Sequence, residues 1–263
     1  MRTHVDPVAL AEQIVRARAQ GRLLPAPADH GLRADEAYAI QAAVLAPRMA
    51  TGGGRGGWKL GYTSSVMREQ MGVAEPNYGP LSQAMILDGS TSEGALITTG
   101  VTQPKVEPEI AAVLGSDVPL GATAEEVRAS VASWHIALEV VDSVWEGYRF
   151  DWALNTADGS SAAFMVLGPS VDGADVSGLE VELMRNGEPP ARGRSDAAMG
   201  DPLVALHWLS QQLTTQGIQL HEGDVIITGG LTPAVDLAPG DVISAEVAEP
   251  HSNAHARVTV SRA

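Results

Sequence analysis

The stretch QPKVEPEI at residues 103–110 has the alternation of a β-strand and carries two acidic side chains. Successive side chains of a strand point to opposite faces, so Glu107 and Glu109 share one face, while Val106 and Ile110 point the other way, as core residues would. Two adjacent carboxylates repel each other unless a positive group lies between them. A hard divalent cation is such a group, and Mg²⁺ or Mn²⁺ suits the pair better than Ca²⁺. The alternative is a solvent-facing strand with an acidic edge.

A third carboxylate lies in a segment that should be buried. Glu139 is part of the apolar run IALEVV at residues 136–141. A lone ionised carboxylate inside such a strand is costly, so it is usually paired or bound to a metal. We therefore predict that Glu107, Glu109 and Glu139, called here the acidic trio, form an open octahedral metal site. The alternative for Glu139 is a salt bridge to Lys105 or to an arginine.

Strand patterns continue on both sides of this stretch. Short apolar runs bounded by turn residues predict strands at residues 84–87, 95–98, 110–114, 137–141, 163–167, 181–184, 225–228 and 242–247. Asn186-Gly187 predicts a hairpin turn. Residues 222–226 and 239–243 repeat one pattern, a Gly-Asp turn followed by an apolar run, and predict two strands of one curled sheet. The pattern indicates an α+β protein built around a mixed β-barrel or roll.

Helical patterns occupy the first fifty residues and two later segments. Apolar residues at helical spacing predict a first helix around residues 8–15, and a second helix runs from Arg33 towards Pro47. A glycine run then marks the end of the helical part. Two further helices are predicted at residues 124–133 and 203–217. We expect one structural unit with two parts, an N-terminal helical portion at residues 1–56 and a catalytic β-roll domain at residues 57–263.

The composition narrows the class of function. Among 263 residues, 17 Lys and Arg stand against 32 Asp and Glu, which gives a formal net charge of −15. Such a protein repels phosphate backbones and anionic lipid, so we expect neither nucleic acid nor a membrane as a partner. The chain has no cysteine and no apolar run of about 18 residues, and its first residues resemble a helix rather than a signal peptide. We therefore expect a cytoplasmic protein.

A lysine in an apolar setting is a further candidate for chemistry. Lys59 lies in GWKLGYTS at residues 57–64, between a tryptophan and a leucine and close to a glycine. A lysine so placed can anchor a carboxylate or act as an acid. The alternative is a surface lysine that extends its ammonium into solvent. The histidines show no metal-binding spacing, and His207, beside a tryptophan on a predicted helix, is typical of packing.

Motifs along nearly the whole chain resemble, in this order, those of the 2-keto-4-pentenoate hydratase and 4-oxalocrotonate decarboxylase family within the fumarylacetoacetate hydrolase superfamily. They are EAYAIQ at 36–41, GWKLGYTS at 57–64, PKVEPEI at 104–110, LEVVDS at 138–143, AD at 157–158, TGGLTP at 228–233 and APGD at 238–241. No single motif is decisive, but their ordered combination is specific. The resemblance implies the β-roll fold of that superfamily.

The resemblance also implies which residues act. It implies Mg²⁺ or Mn²⁺ held by the acidic trio, and a small 2-oxo acid that chelates the metal through its 2-oxo and C1 carboxylate oxygens. The catalytic candidates are Lys59, Asn77 and Asp158, and the substrate-binding candidates are Thr63, Ser64, Ser161, Gly229, Gly230 and Leu231. Known members degrade aromatic rings by meta-cleavage. We expect a homo-oligomer, and a complex with a partner enzyme of the pathway is compatible with the family.

Four departures from the family pattern surround this site. Residues 76–79 are Pro-Asn-Tyr-Gly where hydratases of the family carry Pro-Asp-Phe/Tyr-Gly, and the amide of Asn77 cannot take a proton from water as a carboxylate can. Gly159 replaces an asparagine, Val144 replaces an arginine, and a polar stretch at residues 251–255 replaces the usual C-terminal ending. The metal ligands are therefore complete, but the pocket around them is changed.

We therefore expect a lyase that acts on an enolisable 2-oxo acid through a metal-bound dienolate. Decarboxylation of a 4-oxalocrotonate-type substrate is favoured, because Asn77 disfavours hydration and because TGGLT at 228–232 and YRFD at 148–151 look like the decarboxylase branch. One alternative is a 2-keto-4-pentenoate hydratase, with Asp158 as the nearest substitute base. Another is a family member repurposed for a different 2-oxo acid.

An acylpyruvate hydrolase is a third alternative. It would need a His–Glu pair near the metal to activate water, and the N-terminal region supplies only His4 and His30. A non-enzymatic acidic binding protein is disfavoured, because it leaves the carboxylate of Glu139 in an apolar strand unexplained.

Overall fold

A computed structural model of the protein describes residues 5–91, 93–171, 175–248 and 255–263. The α-helices in these ranges are α1 Pro7–Ala19, α2 Ala34–Thr51, α3 Ser65–Met71, α4 Ala124–Ser130, α5 Trp152–Ala157 and α6 Pro202–Thr215. The strands are β1 Arg55–Gly61, β2 Asn77–Ser82, β3 Ile86–Asp88, β4 Ala95–Ile97, β5 Lys105–Leu114, β6 Val131–Val141, β7 Ala162–Val171, β8 Glu180–Arg185, β9 Ala191–Arg194, β10 Val225–Ile227, β11 Val235–Asp236, β12 Val242–Ala248 and β13 His255–Arg262.

Two mixed sheets form the body of the fold. In the described part of the chain, the larger sheet has the strand order β2-β1-β10-β5-β6-β7-β3, with β11 added beside β5. The smaller sheet has the order β4-β13-β12-β8-β9. Parallel pairs such as β1 with β10 occur beside antiparallel pairs such as β5 with β6. Strands β12 and β13 pack against β6, and β13 also packs against β7. This is the mixed α+β architecture that the strand pattern predicts.

The stretch at residues 103–110 leads into and forms the first half of β5, at the centre of the larger sheet. Val106 and Ile110 are fully buried in the main apolar core, together with Ile136 and Leu138 of the neighbouring strand β6. Burial of each such side chain stabilises the fold by about 1.5–3 kcal/mol. The face of β5 that carries the carboxylates is therefore held in place by the packing of the opposite face.

The N-terminal helices share a core with residues that follow much later in the chain. Helix α1 begins at Pro7, and the side chain of Asp6 caps it by accepting the N–H of Val8 at 3.0 Å. The apolar faces of α1 and α2 pack around Trp145 and Leu154, which come from the segments that follow β6. The helical portion thereby completes a second apolar cluster. Helix α2 does not end near its internal proline, as the sequence suggests, but continues to Thr51.

The prediction that residues 222–226 and 239–243 lead into strands of one sheet is wrong. Both segments do form the same turn, in which the glycine has a positive φ (83° at Gly223 and 85° at Gly240) and the next residue, an aspartate, accepts the N–H of the residue three positions earlier. However, the first turn leads into β10 of the larger sheet and the second into β12 of the smaller sheet. A turn sequence determines local geometry, whereas the partner of a strand depends on distant residues.

Smaller differences concern the ends of elements. The helix predicted at residues 124–133 ends at Ser130, because the next residues already pair with β5. The strand predicted at 84–87 begins with a 3₁₀ turn and then forms β3. The hairpin turn is confirmed, since Asn186 and Gly187 have φ values of 51° and 75° between the paired strands β8 and β9. Within the described ranges, every helix is too short or too polar to span a bilayer.

Candidate active site

The acidic trio meets on one face of the β5–β6 pair. Glu107 lies directly opposite Glu139, and Glu109 follows two residues along β5. One carboxylate oxygen from each residue lies within 4.8 Å of those from the other two. Glu109 and Glu139 are 0% and 1% exposed. The Oε1 atom of each has no hydrogen-bond partner among the described residues. Buried carboxylate oxygens without partners suit a hard divalent cation, so the trio fits Mg²⁺ or Mn²⁺.

The pKa values of Glu107 and Glu109 also favour a bound cation. Burial, followed by the charge of Glu139, raises the pKa of Glu107 to about 7 and raises the pKa of Glu109 well above its ordinary value. Both shifts mean that a fully ionised trio is unfavourable without further positive charge. A divalent cation supplies that charge and competes with protons for the same oxygens.

Lys59 supplies one positive charge to this cluster. It lies in β1 and is buried, and its Nζ is 3.0 Å from Glu139 Oε2 and donates to the backbone oxygen of Ser160 at 3.0 Å. Burial opposes the charge of the ammonium, but the nearby carboxylates outweigh burial and raise the pKa of Lys59. The alternative of a surface lysine is therefore wrong. Lys105, which the sequence offered as a salt-bridge partner of Glu139, instead pairs with Asp236 at 2.5 Å.

A glycine pair brings backbone close to the trio. The N–H of Gly229 donates to Glu109 Oε2 at 2.6 Å, and a Cβ at this position would lie 1.9 Å from Thr63 Oγ1. At Gly230 a Cβ would lie 2.9 Å from the carboxyl carbon of Glu107. Any larger residue would push into the cluster, so these two glycines and Thr63 are placed beside the predicted metal ligands. Thr63 Oγ1 is buried and has no described partner.

A cavity of about 150 Å³ opens beside Lys59 and the trio. Its lining residues come from β1 and the residue after it, from β5 and β6, from the segment after β6, from α5 and the turn that follows it, and from the loop between β10 and β11. They are Lys59, Gly61, Tyr62, Lys105, Glu107, Val141, Tyr148, Phe150, Asn155, Ser160, Ser161 and Ala234. Of the sequence-predicted residues, Lys59, Glu107 and Ser161 are in this lining. Leu231 instead packs in the main core, and Ser64 lies just before α3.

Asn77 is fully buried at the start of β2, next to the cavity wall rather than in it. Its Nδ2 donates to Asn155 Oδ1 at 3.0 Å and to Thr156 Oγ1 at 2.9 Å, and its Oδ1 accepts from Ser160 Oγ at 2.8 Å. The amide therefore uses both its donors and its acceptor to join β2 to α5 and to the following turn. Asn155 and Ser160 in turn line the cavity.

Asp158 is placed in a different network. Its Oδ1 accepts from Nε and Nη2 of Arg18 on α1, at 3.0 and 2.5 Å. Its Oδ2 accepts from Ser143 Oγ at 3.2 Å and from the N–H of Val144 at 2.9 Å. Both carboxylate oxygens are occupied, and Asp158 is not among the cavity-lining residues. The structure thus brings Lys59 and the trio together but not Asp158.

Several residues near the site are not predicted to be functional by the sequence motifs. Arg18 has none, because it lies 140 residues before its partner. Tyr62 stands inside the lysine motif, and Tyr148 and Phe150 stand in a motif noted only for its likeness to decarboxylases. Of the N-terminal histidines, His30 bonds to Asp151 at 2.8 Å and does not line the cavity. His4, and residues 251–254 of the polar stretch near the C-terminus, lie outside the described residues.

Comparison with known proteins identifies the family of the chain. The family model of the fumarylacetoacetate (FAA) hydrolase C-terminal region matches residues 68–259. The chain belongs to this family. The matched residues include the acidic trio and begin after Lys59. The family resemblance and the fold class predicted from the motifs are both confirmed.

Three relatives show what this FAA hydrolase family member is similar to. A 2-keto-4-pentenoate hydratase of Paraburkholderia xenovorans (strain LB400) is 36% identical over 221 residues, which cover 82% of this chain and 81% of the relative. A 4-oxalocrotonate decarboxylase of Pseudomonas sp is 30% identical over 240 residues, which cover 90% and 93%. The structure of 4-oxalocrotonate decarboxylase from Pseudomonas putida G7, complexed with magnesium and adipate, covers 100% of both chains with a TM-score of 0.87 and 27% identity. Hydratase and decarboxylase both fit the family member described here.

Proposed function

We propose that this chain is a Mg²⁺- or Mn²⁺-dependent lyase of an enolisable 2-oxo acid, and that it decarboxylates a substrate of the 4-oxalocrotonate type. The observation that carries the proposal is the acidic trio, two members of which are buried, with Lys59 beside a small cavity. The structural relative of equal extent, a decarboxylase solved with magnesium, supports the same assignment.

Glu107, Glu109 and Glu139 would hold the divalent cation. A bound divalent cation polarises carbonyl and carboxylate oxygens and stabilises negative charge that develops on them. Lys59 lies at the edge of the trio with its ammonium directed to Glu139 and Ser160. From there it can hold a substrate carboxylate, or stabilise the negative charge that grows on the 2-oxo oxygen.

Decarboxylation and hydration make different demands on the cavity. In decarboxylation the bond to the distal carboxylate carbon breaks, its electron pair moves into the conjugated 2-oxo acid, and CO₂ leaves. In hydration one carbon of a double bond gains a proton and the other gains hydroxide, so a base must take a proton from water. The amide of Asn77 cannot do this, and both oxygens of Asp158 are occupied away from the cavity. These placements favour decarboxylation.

A hydratase is the second candidate. The observation in its favour is that the hydratase relative is 36% identical to this chain, against 30% for the decarboxylase relative. A homo-oligomeric state, a complex with another enzyme of the pathway and a cytoplasmic location stay predictions.

The two candidates differ in their products. The purified chain with Mg²⁺ is mixed with 4-oxalocrotonate or with 2-hydroxypenta-2,4-dienoate, and loss of ultraviolet absorbance and release of CO₂ are followed together. We expect CO₂ from the first substrate and slow loss of the second. Fast consumption of the dienoate without activity on 4-oxalocrotonate would instead identify a hydratase.

The metal site is tested by binding rather than by turnover. Calorimetric titration of Mg²⁺ or Mn²⁺ should show one site in the wild type and much weaker binding in Glu139→Gln, because a neutral amide replaces a charged ligand. The matched control is Glu12→Gln, which changes an exposed acidic residue on α1 and should leave binding unchanged. Equal affinity of Glu139→Gln and wild type would show that the trio is not the metal site.

A further inference from the structure

One hydroxyl in the cavity has no hydrogen-bond partner among the residues that the structure describes. Most polar side chains of the lining are engaged: Ser161 Oγ accepts from Asn155, Ser160 Oγ donates to Asn77, and the hydroxyl of Tyr148 lies 3.0 Å from two backbone oxygens. The hydroxyl of Tyr62 is buried as well, yet it bonds to no described group. Buried polar groups in native proteins are nearly always hydrogen-bonded, so an exception needs an explanation.

The backbone of Tyr62 is also unusual. Strand β1 ends at Gly61, and Tyr62 then has a φ of 56°, a left-handed conformation that a bulky residue rarely adopts. Arg68 of α3 fixes this bend, since its Nη1 donates to the backbone oxygens of Tyr62 and Thr63 at 2.7 and 3.0 Å. Backbone strain and an unpartnered buried hydroxyl thus occur in one residue of the cavity wall. Strain maintained in this way concentrates at ligand-binding sites.

The hydroxyl is suited to donating a hydrogen bond. Burial, and then the negative charges of Asp151 and Glu107, raise the pKa of Tyr62, so the phenol keeps its proton at neutral pH. On β5, Lys105 shares its strand face with Glu107 and Glu109, and its ammonium lies 5.5 Å from the centre of the Tyr148 ring. The cavity therefore offers a neutral donor, and its wall also carries the ammonium of Lys105, which is paired with Asp236.

We propose that Tyr62 donates a hydrogen bond to a second carboxylate of the substrate, and that it thereby makes the cavity selective for dicarboxylic 2-oxo acids. This inference rests on the proposed function, in which the trio and Lys59 take the 2-oxo end. A monocarboxylic substrate would leave the hydroxyl unpaired in the complex. A site built to bond a substrate oxygen discriminates strongly against an analogue that lacks it.

The test compares two ligands of equal chain length, 2-oxoadipate and 2-oxohexanoate, by calorimetry with the Mg²⁺-loaded protein. We expect the wild type to bind 2-oxoadipate at least tenfold more tightly. In Tyr62→Phe the affinity for 2-oxoadipate should fall about tenfold, while the affinity for 2-oxohexanoate is retained. The melting temperature of Tyr62→Phe should not fall, because the removed hydroxyl bonds to none of the described residues.

Tyr148→Phe is the matched control. It removes a cavity-wall hydroxyl that is already bonded to the backbone oxygen of Gln103 or Val141, so it should lower the melting temperature and leave the ratio of the two affinities unchanged. A ratio that is the same in wild type and Tyr62→Phe would overturn the inference. If neither ligand binds and the metal titration also fails, the proposed function fails with it. If Mg²⁺ binds and the two ligands bind equally well, only the role of Tyr62 is refuted.

Discussion

Replacement of Arg18 should reveal how much the N-terminal helix contributes to the site. Arg18 on α1 donates three hydrogen bonds to Asp158, two to Oδ1 and one to the backbone oxygen at 3.1 Å. The side chains of Arg18 and Asp158 are 13% and 0% exposed. In Arg18→Met the methionine fills most of the volume of the arginine, but it leaves the carboxyl group of Asp158 buried without its cation.

The expected loss follows from the burial of the pair. Removal of one partner of a buried ion pair costs about 3–5 kcal/mol. We expect the lower end, about 3 kcal/mol, because burial already raises the pKa of Asp158 and allows it to take a proton. Arg48 is also close enough for its charge to interact with Asp158. At roughly 2–4 °C per kcal/mol for a chain of this size, the melting temperature should fall by about 6–12 °C.

Arg18→Met should also lower the rate of the reaction. Asp158 leads into Gly159, Ser160 and Ser161, whose φ values of 81°, 54° and 58° are all left-handed. Each of the two serines in this conformation costs about 1–3 kcal/mol, so the turn persists only while its surroundings hold it. Because the backbone oxygen of Ser160 accepts from Lys59, we expect a loosened turn to lower kcat at a temperature where Arg18→Met is fully folded.

The assay is thermal unfolding at pH 8 and pH 5 together with steady-state kinetics. Without Arg18 the folded state binds the proton of Asp158 more tightly than the unfolded state does. The stability contributed by that proton is present at low pH and is lost as the pH rises through the folded pKa, so the deficit should be larger at pH 8. Arg16→Met, an exposed change on the same helix, is the control and should be near neutral. A loss below 1 kcal/mol in Arg18→Met at pH 8 would refute the reasoning.

Three further changes test the site itself. Lys59→Met should lower kcat/KM by about tenfold to a thousandfold, which is the range for the loss of one charged or acid–base group. A titration should show that Mg²⁺ binding is not weakened, because the carboxylates lose a competing cation. Asn77→Asp should lower the melting temperature, because two donated hydrogen bonds are lost. It should also raise dienoate hydration relative to CO₂ release. Unchanged hydration would show that residue 77 does not determine which reaction takes place. Because the pKa of Glu107 is raised to about 7, the metal-free protein loses stability as the pH rises through that value, so Mg²⁺ should raise the melting temperature more at pH 8 than at pH 6.

The acidic trio could be predicted from the sequence because its signals are local. Two carboxylates two residues apart share a strand face, and a charge within an apolar run must be compensated, whatever the rest of the fold. The pairing of Glu107 with Glu139 in one register could not be predicted, because strand register depends on the packing of whole sheets. The need to compensate buried charge predicts the trio without the register, and the family resemblance implies the same three ligands.

Contacts between distant segments could not be predicted from the sequence for the same reason. Arg18 is an ordinary basic residue near the end of an amphipathic helix, and only the fold shows that it binds Asp158. The two Gly-Asp turns show the reverse case, since identical local chemistry occurs in two different sheets. Asp158 illustrates how such contacts change an interpretation: it is conspicuous in its motif as an acid, yet its oxygens stabilise a turn.

The charge of the site explains why a protein with a formal net charge of −15 can bind an anionic substrate. The three carboxylates of the trio and the ammonium of Lys59 leave two negative charges beside the cavity when all of them are ionised. In that state the cavity repels a 2-oxo acid, and the low polarity of its surroundings strengthens the repulsion. A divalent cation would cancel those two charges and turn the same oxygens into a neutral site. The arrangement therefore favours metal binding before substrate binding, and it leaves the hydroxyl of Tyr62 to bind the part of the substrate that the cation does not reach.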